Sequence, residues 1–191
     1  MTRLGLILCG GRSRRMGRPK ADLDLDGHPL ITRVHEAVAP VVDQVVLLGD
    51  CAALPELTRR PDPIPEAGPL VALGHALPDH PADDWLICPC DMPDLRADLL
   101  ARLFTSGAIT AFHDPGRGTV TPLPLRLSAE MRPVVAARVR DGCRAVRDLF
   151  ECVPPDLVHL APDEARALVN LNTPDDVNRF SPWDRSSPPR A

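Results

Sequence analysis

The sequence predicts an α/β fold, one domain of three layers (α/β/α) built on a mostly parallel sheet. Two observations predict it. Short apolar runs of strand length, at residues 4–8, 44–48 and 85–90, alternate with segments of helical periodicity, the pattern of a parallel sheet covered on both faces. The first run also feeds straight into a glycine- and arginine-rich loop, and open α/β sheets bind ligands beyond the carboxyl ends of their strands. A length of 191 residues is enough for one domain with a substantial core.

Residues 4–8 (LGLIL) read as a buried strand. Gly10, Gly11 and Gly17 follow, among Arg12, Arg14, Arg15 and Lys20. Glycine lets a backbone approach a ligand closely, and the N–H groups of such a loop, ringed by positive charge, suit phosphate. The loop is not a P-loop, because Lys20 lies between Pro19 and Ala21 instead of in Gly-Lys-Ser/Thr. Nor does the spacing of its glycines match the dinucleotide fingerprint Gly-x-Gly-x-x-Gly. A nucleotide-phosphate site of another kind is the reading that remains.

Residues 23–27 alternate and end in Asp-Gly, a hairpin signal. Pro29 precedes a helix over 30–38, with Ile31, Val34, His35 and Val38 on one face. Residues 44–48 (QVVLL) form a second strand, 51–58 a short helix, and Asp62 sits in an Arg-Pro-Asp segment entering a proline-rich loop. Gly68-Pro69-Leu70 opens the next helix, with proline where its missing donor costs little. Residues 85–90 (WLICPC) form a strand ending at Asp91, and 95–104 a helix. Strands at 109–112 and 120–125 are joined through Asp114-Pro115-Gly116, and 128–150 is helical with a break near Gly142. A last strand at 157–160 precedes Val169-Asn170-Leu171-Asn172 and a short helix capped by Thr173. The domain spans 1–180, and 181–191, which lacks periodicity, reads as a disordered tail.

A net charge of −4 excludes any global attraction to nucleic acid or an anionic membrane. The basic first loop suits a small anionic ligand instead. The six cysteines include no Cys-x-x-Cys pair, and several lie in apolar runs, as reduced buried thiols do. No apolar run reaches membrane-spanning length. The expected setting is the cytoplasm.

Three polar features fall at the carboxyl ends of strands: the glycine loop, Asp62 and Asp91. A lone carboxylate beside a phosphate loop suits Mg²⁺, which takes one or two carboxylates plus phosphates and water. Asp91 can also be read, as the lesser alternative, as the cap of the following helix. The six histidines show no ligand spacing, and no Ser–His–Asp arrangement stands out. A substrate phosphate attacking a nucleoside triphosphate needs no strong base, only positioning and charge neutralisation by Lys, Arg and Mg²⁺.

The residues Leu8-Cys9-Gly10-Gly11, Arg15-Met16-Gly17 and Lys20 resemble the N-terminal motif of the molybdenum cofactor guanylyltransferases. The resemblance covers about residues 3–180. It continues in family order through Val45 to Leu48, the Asp62 segment, Gly68-Pro69-Leu70, Cys88 to Pro93, Thr121-Pro122-Leu123 and Asn170 to Pro174. It implies a nucleotidyltransferase-type, Rossmann-like sheet. It also implies transfer of GMP from GTP to the phosphate of molybdenum-bound molybdopterin, with Mg²⁺ as cofactor and transient contacts with other molybdenum cofactor proteins. By this resemblance Leu8, Gly10, Gly11 and Lys20 bind the nucleotide, Arg15 its phosphates and Asp62 the nucleoside. Asp91 holds Mg²⁺, and Asn170 and Asn172 line the acceptor side. Guanylyl members carry Gly where cytidylyl relatives carry Ala, so Gly10 points to a purine. Cys9, Pro19, Val71-Ala72 and Thr121 depart from the usual residues. They leave the nucleotidyltransferase class in place but leave open a relative that uses CTP, another nucleotide or another phosphate acceptor. A non-catalytic carrier is a separate alternative, against which Lys20 and Asp91 count.

Overall fold

The computed structural model describes residues 1–10, 20–25, 27–62, 64 and 67–180. The expectations for Gly11, Arg15 and the rest of 11–19, and for the tail 181–191, lie outside the described residues. The strand predicted at 4–8 is β1 (Arg3–Leu8). After it come a 3-10 turn at Lys20–Asp22 and the small hairpin β2 (Asp24–Leu25) and β3 (His28–Pro29). Helix α1 (Leu30–Val38) and strand β4 (Gln44–Leu48) form where the apolar periodicity places them. They are followed by β5 (Thr58–Arg60), α2 (Pro69–Ala76), β6 (Asp84–Pro89) and α3 (Ala97–Ala101). The second half holds β7 (Ile109–Asp114), β8 (Thr119–Ser128), α4 (Arg132–Arg140), β9 (Asp156–His159) and α5 (Pro174–Arg179).

Seven strands make the main sheet in the order β5-β4-β1-β6-β8-β7-β9. Strand β1 pairs in parallel with β4 and β6, and β5 and β9 pair in parallel with their neighbours, while β8 runs antiparallel to β6 and β7. Strand residues of alternate parity point to opposite faces. Ile7, Leu47, Leu86 and Phe112 pack with α1 and α3 on one face. Leu6, Val46, Trp85, Ile87, Leu125 and Leu127 pack with α2 and α4 on the other. The result is the expected three-layer α/β arrangement. Gly5 permits the close approach of α1, since a Cβ there would lie 2.6 Å from Cγ1 of Val38. A third, smaller cluster joins Leu23, Leu25 and Leu30 to Leu171, bringing the far end of the chain back against the hairpin.

Three predicted elements come out differently. No helix forms over 51–58. The carboxylate of Asp22 takes the N–H groups of Ala52 and Ala53, Leu54 adopts a φ of 57°, and residues 58–60 pair with β4 as β5. The helix expected at 95–104 is confined to Ala97–Ala101. The helical stretch 128–150 divides at Gly142, whose φ of 85° suits glycine. Beyond it the carbonyl of Arg144 accepts the N–H of Leu70 at 3.0 Å, and a 3-10 helix covers Val146–Glu151. Among the described residues no helix is long and apolar enough to cross a membrane.

Where β6 meets β8, Asp84 and Arg126 form an ion pair whose side chains are each 3% exposed, and Arg126 also donates to the carbonyl of Gly107. Removing one partner of such a pair leaves a buried charge uncompensated. Arg126→Met is therefore expected to cost about 3–5 kcal/mol in urea unfolding, while Arg126→Met combined with Asp84→Leu should cost far less. An equal loss in both variants would show that the site does not depend on charge pairing.

Candidate active site

Strands β1, β4 and β6 are parallel neighbours, so their carboxyl ends open at one edge of the sheet. The chain leaving each strand is tied to the next. The N–H groups of Cys9 and Gly10 both donate to the carbonyl of Leu48, at 2.6 and 3.1 Å, and Cys90 N–H donates to the carbonyl of Leu8 at 3.2 Å. Leu8, placed on the nucleotide side by the sequence, thus ends β1 at the centre of this edge.

Gly10 is pressed from two sides. A Cβ there would collide with the carboxylate of Asp62, and a Cβ at Gly49, whose φ is 105°, would collide with the backbone N of Gly10. Gly10 and Asp62, each singled out in the sequence, are brought into contact. Burial raises the Asp62 carboxyl above its ordinary range, and the nearby charge of Asp50 pushes the same way.

Lys20 stands on the 3-10 turn that ends at Asp22. Its ammonium lies 3.1 Å from Oδ2 of Asp91 and 2.6 Å from Oδ1 of Asn172. The side chains of Lys20 and Asp91 are only 22% and 13% exposed, so this ion pair is poorly screened by solvent. Asp91 holds the C-terminal segment through its carbonyl, which accepts the N–H of Leu171 at 2.9 Å. Asn172 is fixed in turn by its own N–H, which donates to Asp176 in the first turn of α5, where Thr173 is the cap. Lys20, Asp91 and Asn172 therefore converge, whereas Asn170 is exposed beside them.

Asp91 does not cap the following helix. The N-cap of α3 is Arg96, and no side chain caps it. Oδ1 of Asp91 is buried and has no hydrogen-bond partner among the described residues. An orphaned carboxylate oxygen is costly unless something completes it. No cluster of three or more His, Cys, Asp or Glu residues suited to a metal occurs among the described residues. A cation here would take one protein carboxylate and draw its other ligands from substrate and water, the habit of Mg²⁺.

Sequence reasoning passed over Gly49 and Asp50, which follow β4 and border Gly10 and Asp62. It also passed over a signal in plain view. The chain carries 22 Lys and Arg residues, and Lys20 is its one lysine. An ammonium is a compact point charge that a planar guanidinium does not reproduce.

The model of the MobA-like NTP transferase domain matches residues 5–151. The chain belongs to that family. A molybdenum cofactor guanylyltransferase of Xanthomonas euvesicatoria is 32% identical over 182 residues, covering 92% of this chain and 93% of the relative. A probable molybdenum cofactor guanylyltransferase of Chloroflexus aggregans is 36% identical over 188 residues, covering 91% and 90%. The crystal structure of molybdopterin-guanine dinucleotide biosynthesis protein A from Archaeoglobus fulgidus superposes with a TM-score of 0.73 at 20% identity, over 92% of this chain and 95% of that one. This MobA-like transferase is accordingly a nucleotidyltransferase, which sets aside the reading as a non-catalytic carrier.

The raised carboxyl of Asp62 has a consequence for stability. The folded state holds that proton more tightly than the unfolded state, so at neutral pH the ionised Asp62 opposes folding, and the penalty fades as pH falls through the folded-state value. Asp62→Asn is expected to raise Tm at pH 7, with the gain shrinking towards pH 4. A variant no more stable than wild type at pH 7 would contradict the assignment of burial as the cause.

Proposed function

We propose that the enzyme transfers GMP from GTP to the phosphate of molybdenum-bound molybdopterin and releases pyrophosphate. The observation that carries this reading is the convergence of Lys20, Asp91 and Asn172 beside the Gly10–Asp62 contact. An ionised phosphate oxygen of the acceptor attacks the α-phosphorus of GTP. The new P–O bond forms as the bond to the bridging oxygen breaks, and pyrophosphate departs. No general base is required, because the attacking phosphate oxygen is already ionised.

In this proposal the backbone around Leu8, Gly10 and Gly11 receives the nucleotide, and Asp62 receives the nucleoside. Lys20 and Arg15 neutralise charge on the phosphates, and Asn170 and Asn172 face the acceptor. Asp91 would hold Mg²⁺ through Oδ1, which has no partner among the described residues, and the cation would supply charge stabilisation to the triphosphate. All six cysteines are free thiols, which supports a reducing, cytoplasmic setting. The partners in this reading are small molecules and, in transit, other molybdenum cofactor proteins.

Incubation with GTP, Mg²⁺ and molybdenum-loaded molybdopterin should release pyrophosphate. No turnover with an acceptor preparation that another guanylyltransferase accepts would sink the proposal. In competition GTP should clearly outrun CTP and UTP, and equal use of CTP would hand the site to the CTP alternative left open by the sequence.

Removing the one lysine removes a preorganised charge. Lys20→Ala is expected to lower kcat by about two to three orders of magnitude while far-UV circular dichroism stays unchanged. Lys20→Arg should restore little of it, because a planar guanidinium does not replace a point charge held between Asp91 and Asn172. Asp91→Asn should lose at least about a hundredfold. Near-normal rates in Lys20→Ala or Asp91→Asn would remove that residue from the mechanism, and near-normal rates in Lys20→Arg would show that any cation suffices there.

A further inference from the structure

Lys20 is the last described link between the first loop and the core, and the short turn that carries it needs an anchor. The turn closes on itself through Leu23 N–H, which donates to the carbonyl of Lys20 at 3.1 Å, and Ala21 is fully buried beneath it. What holds it laterally is Asp22. The Oδ1 of that carboxylate accepts the N–H of Ala52 at 3.0 Å, the N–H of Ala53 at 3.0 Å and the thiol of Cys51 at 3.4 Å, and Oδ2 adds a longer contact to Ala52 N–H at 3.3 Å. These donors belong to the irregular segment after β4, which begins at Gly49, the residue packed against Gly10. One carboxylate thus fastens the lysine turn to the β4 exit.

We propose that Asp22 is a positioning residue for Lys20, fixing the turn so that the ammonium lies between Asp91 and Asn172. Its kinetic consequence rests on the nucleotidyl-transfer reading above. Asp22 does not touch the ammonium it places, and its Oδ1 is engaged by three donors of the 51–53 segment, so it acts through the position of the turn. The brace depends on an oxygen acceptor and not on charge, because three of the four contacts converge on a single oxygen. An asparagine amide oxygen can serve there, whereas alanine leaves both N–H groups without their acceptor.

The experiment compares wild type, Asp22→Asn and Asp22→Ala in two assays. The first reads kcat and KM for GTP from pyrophosphate release. The second reads the rate at which an amine-selective acylating reagent labels Lys20 at fixed pH, followed by mass spectrometry. Lys20 is the one lysine in the chain, and a small-molecule amine added to each reaction serves as the reference. Asp22→Ala should lower kcat by about tenfold or more, within the 10²-fold that a misplacement of about 1 Å can cost, and should speed labelling of Lys20 severalfold relative to that reference. Asp22→Asn should stay within about threefold of wild type in both. Equal losses in Asn and Ala variants would make Asp22 a charge that acts through its field, and unchanged labelling in Asp22→Ala would show that it does not hold Lys20. Either result overturns the proposal, and a loss of about tenfold or more in Asp22→Asn overturns it even if the alanine variant is not recovered folded. If the wild-type protein releases no pyrophosphate, the transfer reading fails while the labelling comparison still judges Asp22.

Discussion

The ammonium of Lys20 reaches one oxygen of Asp91 at 3.1 Å and the amide oxygen of Asn172 at 2.6 Å, joining positions 71 and 152 residues away in the chain. Almost every other feature of the site can be traced to that junction. The parallel pairing of β1 with β6 brings Asp91 to the edge where the first loop leaves the sheet. The Leu171 N–H bond to Asp91 returns the C-terminal segment to the same place, and the cluster of Leu23, Leu25, Leu30 and Leu171 seals it with apolar contact. Asp91 divides its two oxygens between roles: one accepts the lysine, and the other is buried without a hydrogen-bond partner among the described residues. A carboxylate arranged in this way can keep its lysine and still receive a cation. That combination suits the polyanionic phosphates of a nucleotide.

A second constraint is the absence of space at Gly10. A side chain at position 10 would displace the carboxylate of Asp62, and one at position 49 would strike the backbone of Gly10. The glycine that the family resemblance connects with purine nucleotides therefore has a local steric cause in this chain. It lets Asp62 close onto the end of β1. Asp50 stands near enough to raise the Asp62 carboxyl further, which places two acidic residues on the side of the edge away from Asp91.

Much of this was legible in the sequence, for reasons of pattern. The runs at 4–8, 44–48 and 85–90 became β1, β4 and β6, because buried parallel strands need continuous apolar stretches. The periodicity at 30–38 and the Gly-Pro start at 68–69 located α1 and α2. Lys20, Asp91, Asn172, Gly10 and Asp62 were each picked out, and the fold brings them to one edge in two contacting groups. What the sequence could not show was long-range hydrogen bonding. The segment 51–58 has helical composition, yet its amides are taken by Asp22, some thirty residues earlier, and its end is drawn into the sheet by β4. The break at Gly142 was visible, but not that Arg144 would accept a bond from the start of α2. Asn170 was grouped with Asn172 by motif, and only Asn172 contacts the lysine.

The most direct measurement is a crystal structure with GTP and Mg²⁺ bound. The account predicts the triphosphate against Lys20, the guanine side beside Gly10 and Asp62, and the metal on Oδ1 of Asp91. A nucleotide bound at another edge of the sheet, or a metal held without Asp91, would contradict it.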